Sequence, residues 1–144
     1  MELAWDTLEF QPEMDPPVTS NMIFTLKSVP GHPAGGNKML MGCELEFGTL
    51  IDFEIWRDEP LQRLETLAKY EGHTSSVRKI EYKHDFTQVL TSSEDHQCIL
   101  WDYDSGEPQA MLCGHTDLAT GAVWVGPNTI VSSSWDCRIL TWNV

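Results

Sequence analysis

Short runs in which apolar and polar residues alternate, broken by turn-forming residues, fill the C-terminal half of this chain. Val77 to Lys83, Gln88 to Ser93, Gln97 to Tyr103 and Gln109 to Cys113 are rich in β-branched, aromatic or other apolar side chains. Such side chains suit a half-buried pleated surface, so these runs predict strands rather than helices. His84-Asp85, Glu94-Asp95-His96 and Asp104-Ser105-Gly106-Glu107-Pro108 separate them and supply turn chemistry. Four strands with short connections predict one antiparallel sheet. A second set is expected near 119–125, 129–134 and 138–143, split by Gly126-Pro127-Asn128 and Trp135-Asp136.

The N-terminal half follows the same pattern more loosely. Met22–Val29, Lys38–Phe47, Thr49–Arg57 and Leu61–Leu67 read as four strands. Pro30 to Gly36 would be a long loop, Phe47-Gly48 a tight turn, and Asp58-Glu59-Pro60 another. Residues 1–20 hold Pro12, Pro16 and Pro17 and five acids without a base, which reads as an arm. Leu3, Trp5, Leu8 and Phe10 suggest one short strand within it.

A period underlies these elements. Gly-His recurs at Gly31-His32, Gly72-His73 and Gly114-His115, at intervals of 41 and 42 residues. Trp followed by a polar residue closes each unit, at Trp56-Arg57, Trp101-Asp102 and Trp142-Asn143. The last two units also share a hydroxyl triplet, Thr91-Ser92-Ser93 and Ser132-Ser133-Ser134, and an Asp, Asp95 or Asp136, six residues before the Trp. A repeat of this length with this signature indicates propeller blades.

On these residues the sequence resembles the WD40 repeat family, strongly over 72–144 and weakly over 20–71. In the first unit Gly48 stands where the motif wants Asp. The resemblance implies an all-β fold of WD40-like β-propeller blades, about three four-stranded blades in a partial propeller. The expected divisions are an arm (1–20), a degenerate blade (21–71), one repeat (72–113) and a C-terminal repeat without its outer strand (114–144). Rings of this type use about four to eight blades, so three imply part of a larger propeller, a shortened product, or a half-ring completed by another copy.

Two constellations contain the residue types of chemistry. His73, Asp95 and Thr91, and again His115, Asp136 and Ser132, match the groups of a hydrolase triad. Catalytic sets are built once, whereas a device that holds a fold recurs with each unit, so no catalytic residue is expected. The resemblance implies instead a structural hydrogen-bond network of His73, Thr91, Asp95 and Trp101 in one blade, and His115, Ser132, Asp136 and Trp142 in the other. Cys98, Cys113 and Cys137, with the nearby imidazoles, lack CxxC or HxxxH spacing, so no metal site and no cofactor is expected. These three cysteines read as small strand residues. The stretch from Pro30 to Lys38 lacks the pattern of a phosphate loop.

The family tends to contact partners from one rim, through residues beside the turn Asp and after the loop His. Carried over, these are Ser76, Arg78, Glu94 and His96 in one blade, and Leu118, Thr120, Trp135 and Cys137 in the other. Trp135 is the sharpest candidate, because large aromatics make favoured anchors.

Charge narrows the partner class. Nine basic residues against 22 acidic ones give −13, and acids exceed bases in both halves. Nucleic-acid binding needs cationic surface that displaces phosphate counterions, and an anionic membrane would repel this chain. No run is apolar enough for a membrane helix, and the N-terminus lacks the basic start and apolar core of a secretory signal. Four cysteines are too few for a disulfide scaffold, so reduced thiols inside the cell, in cytoplasm or nucleus, are expected. The function expected is a non-catalytic interaction or scaffold module with a protein partner. Its alternative is a structural subunit or C-terminal fragment of a larger propeller, with self-association or association with the rest of that propeller.

Overall fold

Eleven strands in three antiparallel sheets make up the computed structural model, which describes residues 23–31, 37–43, 47–54 and 63–144. The first sheet holds β1 (Ile23–Val29), β2 (Asn37–Cys43), β3 (Phe47–Glu54) and β4 (Arg63–Glu71), in chain order. The second holds β5 (Val77–Tyr82), β6 (Gln88–Ser93), β7 (Gln97–Asp102) and β8 (Pro108–Cys113), again in chain order. The third has three strands, β9 (Ala119–Trp124), β10 (Thr129–Ser134) and β11 (Ile139–Asn143), with β10 in the middle. No helix occurs among the described residues. Each sheet is a meander, since strands consecutive in the chain pair most readily with each other.

The first sheet departs from expectation in its strand bounds, β4 running on to Glu71 past the expected end at Leu67, and in one turn. Phe47 and Gly48 do not form a turn; they open β3, pairing with Glu71 and Tyr70, and Gly48 also pairs with Gly42 of β2. Glycine favours a turn only where the backbone needs it, and here the ladder on both sides keeps the residue extended. The expected arm over 1–20, its strand at Leu3 to Phe10, His32, Trp56 and the turn at Asp58-Glu59-Pro60 all lie outside the described residues.

Two apolar layers hold the three sheets together. Val29, Leu40, Ala68 and Tyr70 of the first sheet meet Ile80, Val89, Ile99, Trp101 and Tyr103. Leu90, Cys98, Leu100 and Leu112 on the other face of the second sheet meet Ala119, Ala122 and Ile130 of the third. Small side chains on β9 let the sheets approach closely, and each large residue covered there contributes roughly 1.5–3 kcal/mol. A polar tie adds direction: the Tyr70 hydroxyl donates to the Tyr103 carbonyl at 2.8 Å. Gly106 sets another close approach. Its φ is +75°, and a Cβ there would stand 2.1 Å from the Lys69 carbonyl oxygen.

Candidate interaction rim and its hydrogen-bond networks

The turn between the second and third strands of each blade is built the same way in the second and third sheets. The Trp101 indole N–H donates to Thr91 Oγ1 at 2.8 Å. Thr91 Oγ1 lies 2.7 Å from His73 Nε2, and His73 Nδ1 lies 2.7 Å from Asp95 Oδ2. In the third sheet the Trp142 indole donates to Ser132 Oγ at 2.8 Å, and Ser132 Oγ lies 2.8 Å from His115 Nε2. His115 Nδ1 then lies 2.9 Å from Asp136 Oδ2. Indole can only donate, so each hydroxyl accepts there and gives its own proton to Nε2. With the ring proton on Nδ1 pointing at the carboxylate, every member of the chain is satisfied.

The carboxylates continue the network into the backbone. Asp95 accepts the N–H groups of Thr74 and Gln97 at 3.0 Å each. Asp136 accepts those of Thr116 and Arg138 at 3.0 and 2.8 Å. Burial alone would raise the Asp136 carboxyl. The His115 hydrogen bond and the two backbone N–H groups outweigh it and bring the pKa down from 3.8 to about 2. Asp95 is lowered by the corresponding contacts with His73, Thr74 and Gln97, again against burial. Each network therefore fastens the loop before the first strand to the turn between the second and third.

Residues that sequence reasoning passed over brace the same turn. The Ser93 hydroxyl donates to the Ser75 carbonyl at 3.0 Å and accepts the Asp95 N–H at 3.2 Å. Ser134 repeats this with the Asp117 carbonyl and the Asp136 N–H, at 2.9 and 3.1 Å. Their signal was the third hydroxyl of each triplet, which recurs at the same place in both units. The Gly-His pair has its own reason. A Cβ at Gly114 would lie 2.9 Å from the Trp142 ring, so the missing side chain lets the strand Trp reach across.

The expected rim residues fall into three groups. Ser76 is buried, with its carbonyl accepting the Glu94 N–H at 3.0 Å; Leu118 is half-buried, and its carbonyl accepts the Trp135 N–H at 3.1 Å. Arg78 and Glu94 engage each other in an ion pair, and the guanidinium lies 4.2 Å over the Phe24 ring of the first sheet. Ser75 also donates to Glu94, at 3.4 Å. Thr120, whose hydroxyl bonds to Ser133, is exposed, as are His96, Trp135 and Cys137. Trp135, a large apolar ring, is 67% exposed.

His96 and Cys137 hold equivalent turn positions with φ of 73° and 63°. Cys137 is thus a left-handed turn residue and not the strand residue the sequence suggests, because the tight turn fixes φ there regardless of side chain. Cys98 is buried in β7, and Cys113 ends β8 exposed. Burial, with the Asp95 charge, pushes the Cys98 thiol up to about 12 against a hydrogen bond with the Ser132 side chain. Among the described residues, no three His, Cys, Asp or Glu side chains gather as metal ligands, and no helix is long and apolar enough to cross a membrane.

Comparison with known proteins agrees with this architecture. Residues 64–102 match the WD domain, G-beta repeat family (WD40). A WD repeat domain-containing protein 83 homolog from Dictyostelium discoideum is 29% identical over 107 residues, covering 72% of this chain and 30% of that protein. The human eukaryotic translation initiation factor 3 subunit I is 36% identical over 70 residues, covering 49% of this chain and 22% of that protein. The crystal structure of the WD40 β-propeller domain of Doa1 superposes with a TM-score of 0.57 at 19% identity, over 74% of this chain and 32% of that one. This chain spans under a third of the length of each of these proteins.

Proposed function

From the premise that this chain belongs to the WD40-repeat family, we propose that it is a non-catalytic interaction module that binds a protein partner through one rim of its blades. Trp135 carries the reading: a large aromatic, 67% exposed, stands on a turn whose backbone is fixed from both sides. A rigid, exposed ring loses little freedom on binding and brings much area, the combination that marks interface anchors. Arg78 and Glu94, already paired, would form the polar edge of that surface.

Two observations support a non-catalytic role. The His–Asp–hydroxyl set occurs twice, and both hydroxyls are buried and already engaged by an indole N–H and an imidazole. The partner class is protein, because a chain of net charge −13 has no cationic field for phosphate. We place it inside the cell, in line with its three unpaired thiols among the described residues and with a relative named for translation initiation. A second reading, one part of a larger propeller, is favoured by the share of its relatives that this chain spans.

The test is affinity capture from a cell extract with the chain and with Trp135→Ala, followed by identification of proteins lost with the substitution. A partner retained equally by both overturns the rim assignment.

A further inference from the structure

The rim turn that carries Trp135 repeats the backbone of its counterpart in the second sheet but exchanges the side chains. The Trp135 N–H bonds to the Leu118 carbonyl as the Glu94 N–H bonds to the Ser76 carbonyl. Ser134 donates to the Asp117 carbonyl as Ser93 donates to that of Ser75. Trp135 thus stands at the place of Glu94, Asp117 at that of Ser75, and Thr120 at that of Arg78. In the second sheet a cation joins a carboxylate to a ring: the Arg78 guanidinium pairs with Glu94 and lies 4.2 Å over Phe24. The third sheet brings a ring and a carboxylate to its rim, yet the uncharged, exposed Thr120 holds the place of the cation. Asp117 is half-buried, and its Oδ1 accepts the Leu118 N–H at 2.8 Å. Among the described residues no ion pair joins Asp117 to a cation, the exposed Arg138 included.

Resting on the rim reading, we infer that Trp135 and Asp117 receive a basic side chain, arginine before lysine, from an exposed segment of the protein partner. The face of an indole attracts a cation, and the carboxylate beside it supplies the opposite charge. A guanidinium suits both at once, because it stacks flat on a ring while its fork of N–H groups meets a carboxylate. Net charge selects the same class: at −13 the chain draws basic segments toward it and repels acidic ones. An apolar segment would strip water from Asp117 and leave its charge unpaired, which is costly. The chain's own arginine on this rim, Arg78, is already committed to Glu94 and Phe24.

The test is NMR titration of the full 144-residue chain, reading the Trp135 indole N–H signal, which is assigned by its absence in Trp135→Ala. The probes are short glycine-serine peptides carrying a pair of arginines, lysines, glutamines or glutamates, added to millimolar concentration. The arginine peptide should shift the signal most, the lysine peptide less, and the other peptides not at all. Asp117→Asn keeps an acceptor for the Leu118 N–H but loses the charge, and should weaken the arginine peptide about two- to five-fold. Thr120→Arg gives the third sheet a cation of its own at the place of Arg78, and should weaken that peptide as well. Equal shifts with every peptide, a shift with none, or arginine binding unchanged in Asp117→Asn overturns the inference. A preference for the glutamate peptide gives the site to Arg138 and overturns it too. The rim reading is judged separately by capture from extract. A partner lost with Trp135→Ala but kept by Asp117→Asn leaves that reading standing while this one falls.

Discussion

The Trp142 indole N–H donates to the Ser132 hydroxyl at 2.8 Å, across the neighbouring strands β10 and β11. That bond closes a chain running through His115 to Asp136 and ends in backbone N–H groups at both sides of the turn. Removing any member strands another in a buried place. His115→Ala or Asp136→Ala should each cost about 1–3 kcal/mol in denaturant unfolding. The double substitution should cost clearly less than the sum, because both side chains serve one network. Full additivity would mean that the two act separately.

Acid should loosen the same turns. The Asp136 carboxyl has a pKa of about 2 in the folded chain against 3.8 when unconstrained. A carboxyl whose folded value is depressed adds stability that is complete above the unfolded value and lost as pH falls through the folded one. Asp95 shifts in the same direction. Melting temperature should therefore fall as pH drops from about 4 toward about 2. In Asp136→Asn it should start lower at neutral pH and fall less steeply across that window.

The Gly of the Gly-His pair is a steric requirement that substitution can expose. At Gly114 an added methyl would meet the Trp142 ring at 2.9 Å and Leu140 Cδ1 at 3.2 Å. The ring is held by its hydrogen bond to Ser132 and cannot retreat without breaking it. Gly114→Ala should cost about 1–3 kcal/mol, the usual penalty for overpacking a fitted site. An unaltered denaturation midpoint would show that the Trp moves freely.

Thiol chemistry should separate the cysteines by burial. Cys98 is enclosed between the second and third sheets with its pKa pushed up to about 12, whereas Cys113 and Cys137 are exposed. Only the thiolate reacts, and only where reagent can reach it. Native alkylation followed by peptide mass analysis should label Cys113 and Cys137 and leave Cys98 unlabelled until denaturant is added. Rapid native labelling of Cys98 would mean that the third sheet opens readily from the second.

What the sequence revealed, it revealed through recurrence. His73, Thr91, Asp95 and Trp101 and their counterparts were readable because four residue types returned together at fixed spacing, as a shared hydrogen-bond chain demands. Gln88–Ser93 was legible to the residue, because charged or turn residues bound the run on both sides. Phe47-Gly48 was misread because a ladder on each side overrides a local turn preference. The left-handed φ at Cys137 left no mark in composition, since a turn imposes it on any side chain. Nor did sequence show that Arg78 and Glu94 satisfy each other under Phe24, a pairing made only when the first sheet packs on the second.

Binding, finally, should separate the two rims. Trp135 is exposed on the turn between β10 and β11, while Asp85 and Asn128 lie on the turns joining the first and second strands at the other ends of their sheets. With a captured partner, Trp135→Ala should weaken binding by about 2 kcal/mol or more if the ring is desolvated in the complex. Arg78→Ala should weaken it less. Its guanidinium is already committed to Glu94 and Phe24, so the loss acts through a freed Glu94 at a solvent-exposed edge. Added salt should shrink that smaller effect by screening the charge. Asp85→Ala and Asn128→Ala should leave affinity nearly unchanged. Titration calorimetry on all four variants, each checked for an unaltered melt, reads these differences directly. A normal affinity in Trp135→Ala beside a loss in Asp85→Ala would move the binding face to the opposite rim.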